Sequence, residues 1–176
     1  MRLLAISGSQ REASTNTSLL HALARIAEPP VRVDVLAGLS HLPIFSPDLE
    51  GAATPAPVLE FACAVGAADG LIVSCPEYVR ALPGGFKNAI DWLVSRDEII
   101  GKPVALLHAS HRGDDVLEDL RRVLSTVTHG FMPDVFAQFH LVKMTPDEVA
   151  RHMAEPERDA VLRDFLGRFV QRIAAL

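Results

Sequence analysis

Strand-like and helix-like segments alternate along this chain of 176 residues, and the alternation limits the folds open to it. Short apolar runs predict five strands, at residues 2–6, 31–36, 70–75, 103–109 and 134–139. Apolar residues at helical spacing predict five helices, at residues 17–27, 55–67, 86–94, 116–127 and 161–173. The pattern predicts one α/β domain over residues 1–176, with a five-stranded parallel sheet of order 2-1-3-4-5 and helices on both faces.

The composition narrows the class of protein. The formal net charge of −5 argues against a nucleic-acid partner, since binding to phosphate backbones needs a basic face. No apolar run approaches the roughly 20 residues of a membrane span. No secretory signal pattern is present either, so we expect a cytoplasmic protein with no membrane partner. Two cysteines predict reduced thiols and no disulfide framework, and His108 and His111 are too few to predict a metal site.

Small polar residues fill the loop between the first predicted strand and the first helix. Gly8 allows a tight turn, and the helix begins near residues 14–17, so its free N–H groups and its dipole point into the loop. Together with hydroxyl groups and one fixed cation, this predicts a site for a terminal monophosphate. The candidate phosphate ligands are Ser9, Arg11, Ser14, Asn16 and Thr17. The alternative is that Ser14 or Asn16 merely caps the helix.

A second loop, "CPEYVRALPGG", follows the third predicted strand. Ligands of open α/β sheets bind beyond the carboxyl ends of strands, and a tyrosine on that rim can stack on a planar ring. The loop therefore predicts a site for a flat aromatic ligand. The candidate contacts, largely through backbone, are Pro76, Glu77, Tyr78 and Val79, with Ser110 after the fourth strand.

The helix after this loop carries three polar or aromatic residues outside its apolar stripe. Lys87 and Asp91 are four residues apart, which predicts an exposed ion pair rather than a catalytic pair. Trp92 is the only tryptophan in the chain. It is predicted to pack against either a long loop or a partner subunit.

Both loops resemble signatures of the NADPH-dependent FMN reductase family. The family's first loop, Gly-Ser-x-Arg-x-x-Ser-x-Asn, is matched by Gly8, Ser9, Arg11, Ser14 and Asn16. Its second signature, Pro-Glu-Tyr, then Pro-Gly, then Lys-Asn-Ala-Ile-Asp-Trp, is matched by residues 76–78, 83–84 and 87–92. Val79 and Ala81 stand where the family usually has Asn and Ser.

The resemblance implies a flavodoxin-like fold and an FMN-dependent NAD(P)H oxidoreductase, with the FMN phosphate in the first loop and its ring near Tyr78. NADPH or NADH would pass a hydride to N5 of FMN, and the reduced flavin would then reduce an acceptor in a ping-pong cycle. Candidate acceptors are free flavin, a quinone, an azo or nitro compound, or a metal ion. The cofactor carries the chemistry, so no catalytic side chain is predicted.

Three further expectations complete the sequence prediction. The resemblance implies a homodimer or homotetramer, with residues 86–96 as the candidate interface. Arg80 and Arg112 are hypothesised to receive the phosphate of NADPH. Two alternatives to the reductase stay open: a non-enzymatic flavin-binding electron carrier, and a degenerate family member that has lost flavin.

Overall fold

Five parallel strands form one sheet in the order β2-β1-β3-β4-β5, as predicted. The structure, a computed structural model, describes residues 1–110 and 113–176. The strands are β1 (Arg2–Ser7), β2 (Arg32–Leu36), β3 (Gly70–Ser74), β4 (Val104–His108) and β5 (Phe131–Gln138). This arrangement brings the carboxyl ends of the central strands to a common edge of the sheet.

Helices cover both faces of the sheet, which confirms the predicted three-layer architecture. They are α1 (Thr15–Ile26), α2 (Ala56–Ala67), α3 (Gly84–Asp91), α4 (Asp114–Val127), α5 (Pro146–Met153) and α6 (Pro156–Ala174). One apolar core packs α2, α3 and α4 against the sheet, and the other packs α1, α5 and α6. Strands β1 and β3 are buried on both faces, which explains their continuous apolar sequences. None of the described helices is both long enough and apolar enough to cross a membrane.

The carboxyl-terminal part of the fold departs from the sequence prediction. Strand β5 begins at Phe131, three residues before the predicted start, and includes Pro133. Proline lacks a backbone N–H, but β5 pairs only with β4 at the sheet edge, where this loss is tolerated. Helix α5 was not predicted. Its signal is Thr145 with Glu148 three residues later, and the two residues form a reciprocal capping box.

The long loop after β2 is fastened to α3. The Asn88 side chain accepts a hydrogen bond from the Phe45 N–H (2.8 Å) and donates one to the Pro43 carbonyl (3.0 Å). The Trp92 indole also donates to the Pro43 carbonyl (2.7 Å), and its ring meets the Phe45 ring edge to face. Trp92 is 2% exposed. It therefore packs against the long loop, and its buried ring is not presented to a partner subunit.

We predict that Asn88→Ala lowers the free energy of unfolding by about 1–3 kcal/mol, because two polar groups of the loop lose their partner. The adjacent Lys87 supplies a matched control, since it forms the predicted ion pair with Asp91 on the exposed side of α3. Lys87→Gln should cost no more than about 0.5 kcal/mol. Urea unfolding of both variants measures the difference. Equal losses would contradict the assigned role of Asn88.

Candidate functional site

A cavity of about 550 Å³ opens at the carboxyl edge of the sheet, between the loops that follow β1, β3, β4 and β5. Its volume is typical of small-molecule and cofactor sites. The predicted contact residues that line it are Ser9, Arg11, Ser14, Asn16, Pro76, Glu77, Tyr78 and Ser110. Thr17 and Val79 lie outside the lining. The wall after β5, residues 142–146, was not predicted.

The first loop starts where β1 and β3 end side by side. The Gly8 N–H donates to the Ser74 carbonyl (2.9 Å), and a Cβ at Gly8 would lie 2.4 Å from the Cys75 sulfur. No side chain fits at residue 8 without moving Cys75. Burial raises the pKa of the Cys75 thiol, so the group stays protonated and packs as a small apolar residue beside the cavity.

Hydrogen-bond donors of the first loop face the cavity. The Ser14 hydroxyl oxygen caps α1 by accepting from the Thr17 N–H (3.3 Å), and the Ser9 hydroxyl oxygen accepts from the Arg11 N–H (3.2 Å). Each hydroxyl accepts in these bonds, so its own hydrogen remains for a ligand. The first N–H groups of α1 have no partner within the helix. This donor set suits a phosphate group, and capping by Ser14 is compatible with that role.

The side chains of Asn16 and Thr17 anchor the start of α1 to the strands. The buried Asn16 side-chain oxygen accepts from the Ser74 hydroxyl (2.9 Å), and its amide N–H₂ group is the hydrogen-bond donor that it can offer a phosphate. The Thr17 hydroxyl pairs with the Ser7 hydroxyl (2.8 Å). These two bonds hold the start of α1 against the ends of β3 and β1. Thr17 therefore positions the donors of the loop from outside the cavity.

The rim loop after β3 contains a tight two-residue turn. Tyr78 and Ala81 exchange two backbone hydrogen bonds of 3.1 Å, and the residues between them have φ of 53° (Val79) and 60° (Arg80). This left-handed backbone suits Gly or Asn and is strained for a β-branched residue, which explains why Asn fits here in the family. The Tyr78 N–H is used inside the turn. Its ring, 51% exposed, stays free to stack.

Two side chains clamp the rim loop to the start of α4. The Glu77 carboxylate accepts from the Val116 N–H (3.1 Å), and Arg80 pairs with Asp115 (2.7 Å). The hydrogen bond from Arg80 lowers the pKa of Asp115 below its usual value. Arg80 is thus already engaged by a carboxylate, and a phosphate of NADPH would have to compete with it. The other cation of that hypothesis, Arg112, lies outside the described residues, as does His111.

The sheet order and the donors around this cavity are those of a flavodoxin-like protein with a site suited to a phosphorylated ligand. The sequence profile of the NADPH-dependent FMN reductases matches residues 1–142. The chain belongs to that family, which confirms the resemblance of its first and second loops. The description of the family agrees with the predicted oxidoreductase class, with FMN as cofactor and with NADPH as co-substrate.

Individual relatives agree with this assignment. A quinone reductase of Escherichia coli K12 is 33% identical over 113 residues, which are 62% of this chain and 60% of that protein. An NAD(P)H-dependent FMN reductase of Pseudomonas aeruginosa is 36% identical over 112 residues, with the same coverage. The chain thus spans about 60% of the length of these curated relatives.

Solved structures confirm the fold over the whole chain. The flavoenzyme NAD(P)H:(acceptor) oxidoreductase FerB of Paracoccus denitrificans has a TM-score of 0.77 at 24% identity, covering 99% of this chain and 97% of its own. An oxidoreductase from Corynebacterium diphtheriae has a TM-score of 0.66 at 26% identity, covering 100% and 98%.

Gly8→Ala should destabilise the protein by about 1–3 kcal/mol, because the new Cβ overlaps the Cys75 sulfur. Gly84→Ala is the matched control. A Cβ at Gly84, the first residue of α3, meets nothing within 4 Å, and alanine favours the helix. Chemical unfolding of the two variants separates close packing from a general effect of adding a methyl group. A Gly8→Ala protein as stable as wild type would contradict the close packing of Gly8 against Cys75.

Val79→Asn should raise the free energy of unfolding by about 0.5–1 kcal/mol, because asparagine tolerates the left-handed backbone better than valine. Ile44→Asn provides the comparison, since Ile44 is also β-branched and exposed but does not have a positive φ. It should leave the free energy of unfolding, measured by chemical denaturation of both variants, unchanged or slightly lower. Equal shifts in both variants would argue against strain at Val79.

Proposed function

We propose that this protein is an FMN-dependent NAD(P)H oxidoreductase that delivers electrons to a small-molecule acceptor. The observation that carries the proposal is one cavity shared by the donors of the first loop and the half-exposed ring of Tyr78. A ligand with a phosphate and a flat ring can use both. The whole protein's activity is proposed on this ground and on family membership.

The residues present fit FMN at the cavity. The Ser9 and Ser14 hydroxyls, the Asn16 amide and Arg11 would hold the phosphate, with Thr17 supporting them from behind. The ring would lie by Tyr78, against the backbone of Pro76 and Glu77 and near Ser110, whereas Val79 stands outside the cavity lining. When bound, FMN would supply two-electron redox chemistry between NAD(P)H and the acceptor, and we propose that the two substrates react in turn, in a ping-pong cycle.

A quinone is the acceptor class that we favour. A quinone is a small flat ring that can occupy the same face as a nicotinamide, and the exposed apolar surfaces of Tyr78 and Val142 stand at this cavity. The name of the E. coli relative, quinone reductase, supports the same class. Free flavin, azo or nitro compounds and metal ions are the acceptors to compare with it.

A homodimer or homotetramer is part of the proposal. Since Trp92 is covered by its own loop, an interface at α3 would use the exposed apolar residues that follow the helix, among them Val94 and Ile100. The cytoplasmic location stays a prediction.

The test is a titration of the purified protein with FMN and riboflavin, followed by anaerobic NADPH. We expect FMN to bind more tightly than riboflavin, NADPH to bleach the visible flavin band rapidly, and 1,4-benzoquinone to restore it. Arg11→Gln should weaken FMN binding about tenfold without affecting riboflavin, because one charge-assisted contact to phosphate is lost. The control, Arg32→Gln, removes a charge at the start of β2, at the amino ends of the strands and away from the cavity.

The same experiment distinguishes the alternatives. Bound FMN that NADPH does not bleach would identify an electron carrier instead. A protein that stays colourless after incubation with FMN would identify a degenerate member that has lost flavin.

A further inference from the structure

The segment between β5 and α5 forms a wall of the cavity, and in the sequence it lies far beyond the two signature loops of the family. Residues 142–146 line the same cavity as the first loop. The family profile ends at residue 142, so this wall belongs almost entirely to the part of the chain outside the match. Its chemistry is not inherited from the two signatures.

Lys143 stands on this wall in a conformation that a lysine rarely adopts. The Met144 N–H donates to the Leu141 carbonyl (3.2 Å), closing a four-residue turn, and Lys143 at its third position has a φ of 67°. Glycine or asparagine normally occupies such a position, because other side chains are strained there. A lysine here lowers stability, and nothing in the turn itself requires its side chain.

The turn is held firmly at both ends. Leu141 is fully buried in the core beneath α5 and α6, and Thr145 begins α5 with its capping box to Glu148. The strained backbone is therefore imposed by the surroundings rather than by a mobile loop. Backbone strain of this kind clusters at active sites and ligand-binding sites.

The charges at the cavity point to an anion. Among the described residues that line the cavity, Arg11 and Lys143 are the two cations. Among the described residues, neither has a side-chain hydrogen bond or an ion pair, whereas Arg80 is paired with Asp115. Glu77, the one carboxylate among the described lining residues, accepts a hydrogen bond from the Val116 N–H and keeps its negative charge, so the two cations outnumber it. In a chain of net charge −5, this leaves a local positive site at the cavity.

We propose that Lys143, together with Arg11, binds a phosphate group at this cavity. The inference rests on the proposed function, because FMN and NAD(P)H are the two sources of such a phosphate. Lys143 would act as a point charge whose position the strained turn sets. The contribution of Lys143 to binding can be distinguished from its effect on the fold, because the residue favours phosphate binding but lowers the stability of the protein.

The test compares Lys143→Asn with Lys143→Arg and the distant Arg32→Gln. Asparagine fits the turn, so Lys143→Asn should raise the thermal midpoint by about 2–4 °C. The same variant should lower the affinity for the phosphate-bearing ligand about five- to tenfold. Lys143→Arg should keep the wild-type affinity for the phosphate-bearing ligand without a gain in stability. Arg32→Gln should leave the affinities for FMN and NAD(P)H unchanged.

The ligand titrations identify the source of the phosphate. In Lys143→Asn, weaker binding of FMN with unchanged binding of riboflavin would assign the FMN phosphate. A raised KM for NADPH alone would assign its ribose phosphate, and a raised KM for both NADPH and NADH their pyrophosphate. If every constant stays within twofold of wild type while the thermal midpoint rises, the proposal is overturned.

A final arm separates this proposal from the proposed function. If wild-type protein fails to bind FMN, the proposed function fails, and calorimetric titration with 2′,5′-ADP still probes the Lys143 site directly. Binding that weakens in Lys143→Asn would support the lysine site without flavin. Equal binding by the two proteins, or none by wild type, would overturn it.

Discussion

The hydrogen bond from the Gly8 N–H to the Ser74 carbonyl (2.9 Å) joins the ends of β1 and β3, and the candidate site is built around this junction. The Ser74 hydroxyl extends the junction to Asn16, which places the start of α1 over the sheet edge. Cys75 packs against the bare Cα of Gly8, so the first loop lies close to the second. Donors fixed in this way need little reordering when a phosphate binds, which favours affinity.

Strained turns stand on two sides of this rigid centre. Val79 and Arg80 occupy left-handed conformations on the rim after β3, and Lys143 occupies one on the wall after β5. Each turn is tethered, through Arg80 to Asp115 and through the buried Leu141. The two apolar cores, one on each face of the sheet, supply the stability that allows such strain to persist at the site.

Most of the fold was predictable from local patterns. Apolar runs and helical periods predicted every strand and five helices, since the residues buried by a sheet or helix repeat at the spacing of that element. Helix α5 escaped because it has only eight residues and its buried residues are just Val149 and Met153, too few for a periodic signal. The start of β5 escaped because Pro133 ordinarily argues against a strand, and only its edge position makes the proline acceptable.

The sequence by itself determined the sheet order, the family and two walls of the site, because these depend on short motifs at the ends of regular elements. Only the tertiary structure decided that Trp92 is covered by its own loop and that Arg80 is neutralised by Asp115, contacts that span 49 and 35 residues of chain. It also decided that Lys143 shares a cavity with Arg11. The physical reason is that such contacts are set by how α3, α4 and α5 pack on the sheet, and no local pattern records that packing.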